Sequence, residues 1–156
     1  MNILHLLISG GLGGIENLCK NIVLTSQENH YLCFLWEGGP IAQQLTEQGK
    51  EVFLLQEKKS AVWTTQKKLR QICREKQIQV VNLQHGGPFV DLQFMLLKRA
   101  FPKIIFISTE HCFADYYKTQ LNSGLKEKLW RFSYRVKFRA ADRVLAVSQG
   151  VKQSYV

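Results

Sequence analysis

The sequence predicts a doubly wound α/β domain built on a parallel sheet, and three features support this prediction. Six short apolar runs alternate along the chain with segments whose apolar residues recur at helical spacing. The runs are nearly continuous in apolar character, which is typical of strands covered on both faces. Glycine or proline breaks the chain after several of these runs. Strands that alternate with helices favour parallel pairing, as in a Rossmann-like fold.

The first β-α-β unit occupies the start of the chain. A strand is expected at Asn2–Ile8, an apolar run that ends at Ser9 and a group of glycines. A helix is predicted over Ile15–Thr25, because apolar residues return there every three or four positions. The second strand is predicted at Tyr31–Trp36, a run of apolar and aromatic residues that Gly-Gly-Pro brings to an end.

The next four elements follow the same alternation. Ile41–Gln48 predicts a short helix ended by Gly49, and Glu51–Leu55 predicts the third strand. Thr64–Lys76 has few apolar residues and predicts a polar, exposed helix. Ile78–Leu83 predicts the fourth strand, which a His-Gly-Gly-Pro sequence closes.

The last elements complete the predicted sheet. A helix is expected over Phe89–Phe101, a fifth strand at Lys103–Ile107 and a long basic helix over Leu125–Ala141. Arg143–Val147 predicts the sixth strand, and a further helix is expected from Gln149.

Two features of the last third of the chain bear on domain organisation. Residues 109–124 form a long irregular stretch, and such loops are uncommon unless they are functional or mobile. The final helix has only about two turns before Val156. Because domains rarely stop within an element, we expect residues 1–156 to be a fragment or one half of a two-part protein.

Length and composition exclude several classes of protein. The chain has 156 residues, of which 46% are hydrophobic and 21% charged, and this fits one globular domain. It has neither a run long enough to span a membrane nor the basic start of a signal peptide, so we expect a cytoplasmic protein. The cysteines lack metal-site spacing, and we expect reduced, mostly buried thiols and no metal at Cys19, Cys33, Cys73 and Cys112.

The charge balance points to an anionic partner. The formal net charge is +9, and the candidate partners are nucleic acid, acidic lipid and a phosphorylated ligand. No nucleic-acid-binding motif accompanies the charge, so no nucleic acid is expected. Tyr31, Trp36 and Trp63 are expected in the core rather than in a stacking platform.

A glycine-rich loop follows the first strand. Gly10-Gly11-Leu12-Gly13-Gly14 lies where a doubly wound sheet binds ligands, and its glycines allow a ligand to approach the backbone. The helix start behind it favours a phosphate or a polyhydroxylated ligand. The loop departs from the dinucleotide motif, since Glu16 stands at the third glycine position. Glu37 ends the second strand, where NAD enzymes carry an acidic residue, so an NAD-dependent oxidoreductase domain stays open as an alternative.

Six motifs in order resemble the N-terminal domain of family 4 glycosyltransferases, which have the GT-B fold of two facing Rossmann-like domains. No single motif is specific, but together they span almost the whole chain. They are Asn2–Ile8, the loop Gly10–Glu16, the turn Gly49–Val52, the strand Val80–His85, the segment Phe101–His111 and the segment Ala141–Ser148.

The resemblance implies a retaining transferase that moves a sugar from a nucleotide diphosphate sugar to a glycan or lipid-linked acceptor. It implies no cofactor and no metal, with the nucleotide sugar as donor substrate. In the family the N-terminal domain mainly holds the acceptor, and a C-terminal domain holds the nucleotide and carries a Glu-x7-Glu motif. No such motif follows Ser148. We therefore expect the chain to need a missing C-terminal domain or a separate partner subunit for turnover.

The resemblance also suggests site residues. His111 matches the active-site histidine of the family, and Gly13 and Gly14 match its loop glycines. Glu16 follows them at the helix start, where a carboxylate is favoured by the helix dipole whatever its role. His85 ends the fourth strand at the same edge and could equally be a structural turn residue. Glu110 and Asp115 are close in sequence, and no role is assigned to them.

The segment from Lys118 to Arg143 carries +6 of the net charge. One side of the predicted helix is an apolar stripe, and aromatic residues lie among cations on another flank. Such a helix suits an anionic membrane surface, although a packed helix with a solvated basic face is an equal alternative. We expect the membrane contacts, on the inner face of the membrane, at Lys126, Lys128, Arg131 and Arg135.

The favoured function is therefore the N-terminal domain of a glycosyltransferase that is peripheral to a membrane. A non-catalytic, membrane-recruiting half of a split transferase is the second alternative, beside the oxidoreductase domain. Co-purification of a partner that carries the donor site would favour the split transferase, whereas NAD binding that depends on Glu37 would favour the oxidoreductase.

Overall fold

The computed structural model describes residues 1–58, 60–114 and 124–155. It contains a parallel six-stranded sheet with the strand order β3-β2-β1-β4-β5-β6. The strands are β1 Asn2–Ser9, β2 Asn29–Glu37, β3 Val52–Leu54, β4 Val80–Leu83, β5 Ile105–Glu110 and β6 Arg143–Ala146. The helices are α1 Gly14–Thr25, α2 Gly39–Glu47, α3 Val62–Glu75, α4 Pro88–Ala100, α5 Gly124–Ala140 and α6 Gln149–Ser154.

The doubly wound, Rossmann-like fold predicted from the sequence is confirmed, and every predicted element is present. β5 continues three residues beyond the predicted end at Ile107, which brings Glu110 into the strand. Residues 115–123 of the predicted irregular stretch lie outside the described residues. No helix in the described ranges is both long and apolar enough to cross a membrane.

Two hydrophobic cores cover the two faces of the sheet. Leu32 and Phe34 of β2 belong to the core beneath α1 and α2, whereas Cys33 and Leu35 belong to the core beneath α3 and α4. This alternation follows the period of two along a strand. All four cysteines are free; three are buried and Cys112 is half-buried.

The prediction of an exposed α3 holds for only one side of the helix, because the other side is buried. Thr65, Gln66 and Leu69 are buried together with Ile72 and Cys73. The polar members are buried because they have partners: the Thr65 hydroxyl donates to the carbonyl of Ala61 at 2.8 Å, and the Gln66 amide donates to Gln93 at 2.7 Å. The prediction that Trp63 lies in the core is wrong, since 74% of its surface is exposed. Trp36 and Tyr31 do pack against the core, as predicted.

Candidate functional site

The crevice at the carboxyl ends of β1 and β4 is the natural ligand site of this fold. These strands are neighbours in the sheet. The chain leaves β1 to form β2 and β3 on one side of it, and then returns to form β4 on the other side. The connections that leave them diverge to opposite faces, and such a switch point opens a crevice. The sequence places the glycine loop after β1 and His85 after β4, so both predicted segments meet there.

Gly10 has a structural role in the loop. A Cβ atom at Gly10 would lie 1.6 Å from the carbonyl oxygen of Gly38. The Gly10 N–H donates to the carbonyl of Glu37 at 2.9 Å, and its carbonyl accepts from the N–H of Ile41 at 3.1 Å. The first glycine therefore locks the loop onto the connection between β2 and α2.

The later glycines leave space in different ways. A Cβ at Gly14 would meet no atom within 4 Å among the described residues. A Cβ at Gly13 would lie 2.3 Å from Oε2 of Glu16. Gly13 therefore makes room for the Glu16 carboxylate at the start of α1, and Gly14 leaves an open approach to the helix end.

Glu16 and His85 face each other across the crevice. The Glu16 side chain is almost buried, and its Oε1 lies 3.6 Å from Nε2 of His85. Nδ1 of His85 accepts a hydrogen bond from the N–H of Ile8 at 3.3 Å, which leaves the ring proton on Nε2, toward Glu16. Burial lowers the pKa of His85, and the Glu16 carboxylate opposes that shift.

His111 lies just beyond β5, beside this pair. Its Nε2 is 2.8 Å from Oε1 of Gln84, the residue that precedes His85. The ring is half-buried, and burial and then the neighbouring His85 lower its pKa, while Glu110 and Glu16 raise it. A neutral imidazole of this kind can donate one hydrogen bond and accept another.

The structure thus brings together Glu16, His85 and His111, with Gly13 and Gly14 beside them. Sequence reasoning missed Gln84, which hydrogen-bonds His111, and His5, which hydrogen-bonds Gln84. The available signal was polar residues in otherwise apolar segments: His5 in β1, Asn82 in β4 and, two positions later, Gln84 directly after β4. A polar face in the middle of a buried sheet requires hydrogen-bond partners, and these are most readily found on the adjacent strands.

An aromatic pocket of about 320 Å³ adjoins the His85 turn. Trp36 and Phe89 line it with ring centroids 6.5 Å apart, and Trp130 of α5 closes it next to Gly87. Apolar walls near a few polar groups are typical of pockets for small organic ligands.

A buried charge cluster supports the β5 end of the crevice. Oε1 of Glu110 accepts from Nζ of Lys137 at 2.7 Å and from the hydroxyl of Ser108 at 2.6 Å. Its Oε2 accepts from the hydroxyl of Tyr155 at 3.2 Å. Lys137 is 1% exposed. Asp91 is buried as well, and its burial raises the pKa of that carboxyl to about 6, against the pull of Lys137.

The four predicted membrane contacts lie outside this group, on α5. Lys126, Lys128, Arg131 and Arg135 are all exposed, and Arg131 pairs with Glu127 at 2.7 Å. Within the described ranges, no three His, Cys, Asp or Glu side chains lie close enough to hold a metal ion.

The two ends of the glycine loop should respond differently to a methyl group. Gly10→Ala is expected to lower the free energy of unfolding by about 1–3 kcal/mol, because the close contact with Gly38 forces the backbone apart. Gly14→Ala should leave stability unchanged or raise it by up to about 1 kcal/mol, since the new Cβ meets open space in a helix. Urea denaturation measures both, and equal losses would contradict this description of the loop.

Solved structures share this fold. Anabaena HepE in complex with UDP-glucose superposes with a TM-score of 0.75 at 16% identity, covering 99% of this chain and 40% of that chain. The HepE complex with UDP gives 0.72 at 17% identity with the same coverage. The dTDP-glucose 4,6-dehydratase of Bacillus anthracis with NAD gives 0.58 at 14% identity, covering 94% and 53%. These likenesses show the fold, and the chain spans about 40% of the length of HepE.

The sequence itself identifies the family. No curated protein sequence matches the chain. The sequence profile of Glycosyltransferase Family 4 matches residues 12–156, which include the glycine loop from Leu12, His85 and His111. With a match over nearly its whole length, the chain belongs to glycosyltransferase family 4.

Proposed function

We propose that this chain is the N-terminal, acceptor-side domain of a retaining glycosyltransferase with GT-B architecture. The enzyme takes a sugar from a nucleotide diphosphate sugar and transfers it to a glycan or lipid-linked acceptor. The observation that carries the proposal is the meeting of Glu16, His85 and His111 beside an open glycine loop, in a chain of family 4. UDP-glucose is the first donor to test, because HepE binds it on the same fold.

Each group has a role that its chemistry suits. The open backbone at Gly14 lets the diphosphate or the sugar approach the start of α1. His111 hydrogen-bonds a sugar hydroxyl near the reacting carbon, and burial, which lowers its pKa, favours the neutral ring. Glu16 and His85 form the wall between the loop and His111 and supply further polar contacts.

The aromatic pocket supports the assignment of the acceptor to this domain. The faces of Trp36, Phe89 and Trp130 suit the apolar face of a sugar ring or the first part of a lipid. The pocket opens next to Gly86 and Gly87, so an acceptor bound there has its polar end near His85. The nucleotide is then held by a second domain or a separate subunit across the crevice.

The site argues against the oxidoreductase alternative. The third glycine of the dinucleotide motif is replaced in this chain by Glu16, whose carboxylate lies beside Gly13 at the start of α1 and faces His85. Glu37 is exposed, and the backbone at Gly10 closes against the turn that follows it.

Transfer of labelled glucose from UDP-glucose to a lipid extract tests the proposal. The product of the whole gene should transfer sugar with retention of the anomeric configuration, which NMR of the product reads. Residues 1–156 alone should give no turnover. Transfer with inversion would reject the retaining mechanism. No transfer from any nucleotide sugar, even with a co-purified partner, would leave the non-catalytic module as the better description.

We propose further that α5 binds an anionic bilayer. Its outward face exposes Leu125 by 81%, Leu129 by 54% and Phe132 by 65%, although an ordinary packed helix would bury this stripe. The residues that turn inward are instead Ser133, Lys137 and the aromatic flank. Exposed apolar side chains bordered by cations suit the headgroup region of a membrane.

Replacing Lys126, Lys128, Arg131 and Arg135 with Gln should abolish sedimentation with vesicles that contain phosphatidylserine. Each cation near such a surface contributes about 1 kcal/mol, so the partition coefficient should fall at least about 100-fold. Vesicles of phosphatidylcholine alone control for charge. The matched variant replaces four exposed cations elsewhere, namely Lys50, Lys58, Lys67 and Lys103. Equal loss in both variants would show a general charge effect and reject α5 as the membrane contact.

A further inference from the structure

A continuous line of hydrogen bonds runs from the crevice into the sheet. Nε2 of His111 is 2.8 Å from Oε1 of Gln84, and Nε2 of Gln84 is 3.0 Å from Nδ1 of His5. Nε2 of His5 is in turn 2.8 Å from Nδ1 of His30. Gln84 is 4% and His5 is 2% exposed, so the middle of the line is closed to water.

The Gln84 amide determines where the ring protons lie. An amide oxygen only accepts and an amide nitrogen only donates. Nε2 of His111, which faces the oxygen, therefore carries a proton. Nδ1 of His5, which faces the nitrogen, carries a lone pair. Since burial lowers the pKa of His5 to about 3, that ring stays neutral and its proton lies on Nε2, toward His30.

We propose that Gln84 is a positioning residue that holds His111 in the Nε2–H tautomer and presents its Nδ1 as the acceptor for a sugar hydroxyl. Nδ1 of His111 has no hydrogen-bond partner within the described ranges. The proposal rests on the proposed function for the identity of the ligand, whereas the tautomer itself does not depend on it.

The surroundings make this control rigid. The backbone N–H of Gln84 donates to the carbonyl of Leu6 at 3.0 Å, which ties the residue to β1. The rings of His5 and His30 stack with centroids 5.1 Å apart. A buried polar line in which each member has its partner favours one arrangement of protons over the alternatives. The opposite amide rotamer would reverse every tautomer in the line together.

Long-range ¹H–¹⁵N NMR on the chain labelled with ¹⁵N at its histidines tests the tautomer of His111. It requires neither a sugar nor a second domain. The four histidines give four ring spin systems, and His111→Ala identifies that of His111. We expect His111 and His5 both in the Nε2–H form. In Gln84→Leu, His111 should become a mixture of tautomers, with ring-proton exchange at least about tenfold faster.

Two further variants make the result decisive. Gln66→Leu removes another buried glutamine, between α3 and α4, and should leave the His111 signals unchanged. Gln84→Glu keeps an acceptor toward both rings, so His111 should stay Nε2–H while His5 changes to Nδ1–H. This variant also serves if Gln84→Leu fails to fold. An Nδ1–H tautomer of His111 in the unaltered chain, or an unchanged His111 in folded Gln84→Leu, would overturn the proposal.

Turnover by the product of the whole gene separates this proposal from the proposed function. Gln84→Leu should lower kcat at least about tenfold, but should add no loss on top of His111→Ala, because it acts through that ring. Additive losses would overturn the positioning role. If the unaltered enzyme transfers no sugar while the NMR result holds, the proposed function fails. The assignment of the His111 tautomer to Gln84 is then still supported, but not its role toward a sugar.

Discussion

Lys137→Met is expected to lower the free energy of unfolding by about 3–5 kcal/mol, the usual cost of breaking a buried ion pair. The ammonium group is 2.7 Å from Glu110 and lies 4.2 Å from the centroid of the Tyr134 ring. Removing it leaves the Glu110 carboxylate buried with two neutral hydroxyl donors. Methionine fills a similar volume, so the measured loss reports charge rather than a cavity.

The same helix offers a matched control. Arg131 and Glu127 form an ion pair of equal length, 2.7 Å, but their side chains are 62% and 37% exposed. Arg131→Met should therefore cost no more than about 0.5 kcal/mol. Urea denaturation followed by circular dichroism measures both variants. Similar losses would show that burial does not govern the strength of the Lys137 pair.

A double variant separates the pair from its surroundings. Glu110→Gln together with Lys137→Met removes both charges, and most of the lost stability should return, because the uncompensated carboxylate is gone. If the double variant is as unstable as Lys137→Met, the ammonium stabilises the fold through other contacts, with Asp91 as the first candidate.

The succession of elements could be predicted from local signals. Nearly continuous apolar runs followed by glycine or proline were enough to place β1 at Asn2 and to start α4 near Pro88. The glycine loop and the residues after β4 and β5 could be assigned to the ligand edge from topology alone. The predicted elements are confirmed because each depends on a few neighbouring residues, whereas the role of the ligand edge stays a prediction.

Predictions that depend on partners from distant segments could not be made in the same way. Gln66 of α3 is buried because Gln93 of α4 lies opposite, 27 residues away in sequence. On α5, Leu129 and Phe132 face outward because the aromatic flank and Lys137 pack inward instead. Helical periodicity identifies a stripe, but the neighbour that each stripe meets is decided by the whole fold.

The same reasoning explains why the sequence predicts a role for His111 but none for Gln84. His111 belongs to a sequence motif at the end of a strand, whereas Gln84 lies between Leu83 and His85, directly after β4, and only its burial shows that its amide needs partners. The significance of that amide depends on His5, 79 residues earlier. A polar residue in or beside a buried strand should therefore be compared with the polar residues of the adjacent strands, because these are its candidate hydrogen-bond partners.

The largest effect on activity is expected from His111→Ala, which should lower kcat for transfer from UDP-glucose at least about 100-fold in the product of the whole gene. The imidazole is half-buried, burial lowers its pKa, and one ring nitrogen is hydrogen-bonded to Gln84. A contact that strengthens as charge develops on the sugar lowers the barrier more than it aids binding, so KM should change little.

The neighbouring Cys112 supplies the control, because it lies next to His111 in the same loop and is also half-buried. Cys112→Ser should keep turnover within about threefold, since nothing in the proposed mechanism requires a thiol there. Thermal unfolding of both variants shows whether the domain stays folded. A stable His111→Ala variant with near-normal turnover would remove this histidine from the site. Loss of turnover in both variants would instead indicate that the conformation of the loop, rather than the imidazole, determines the rate.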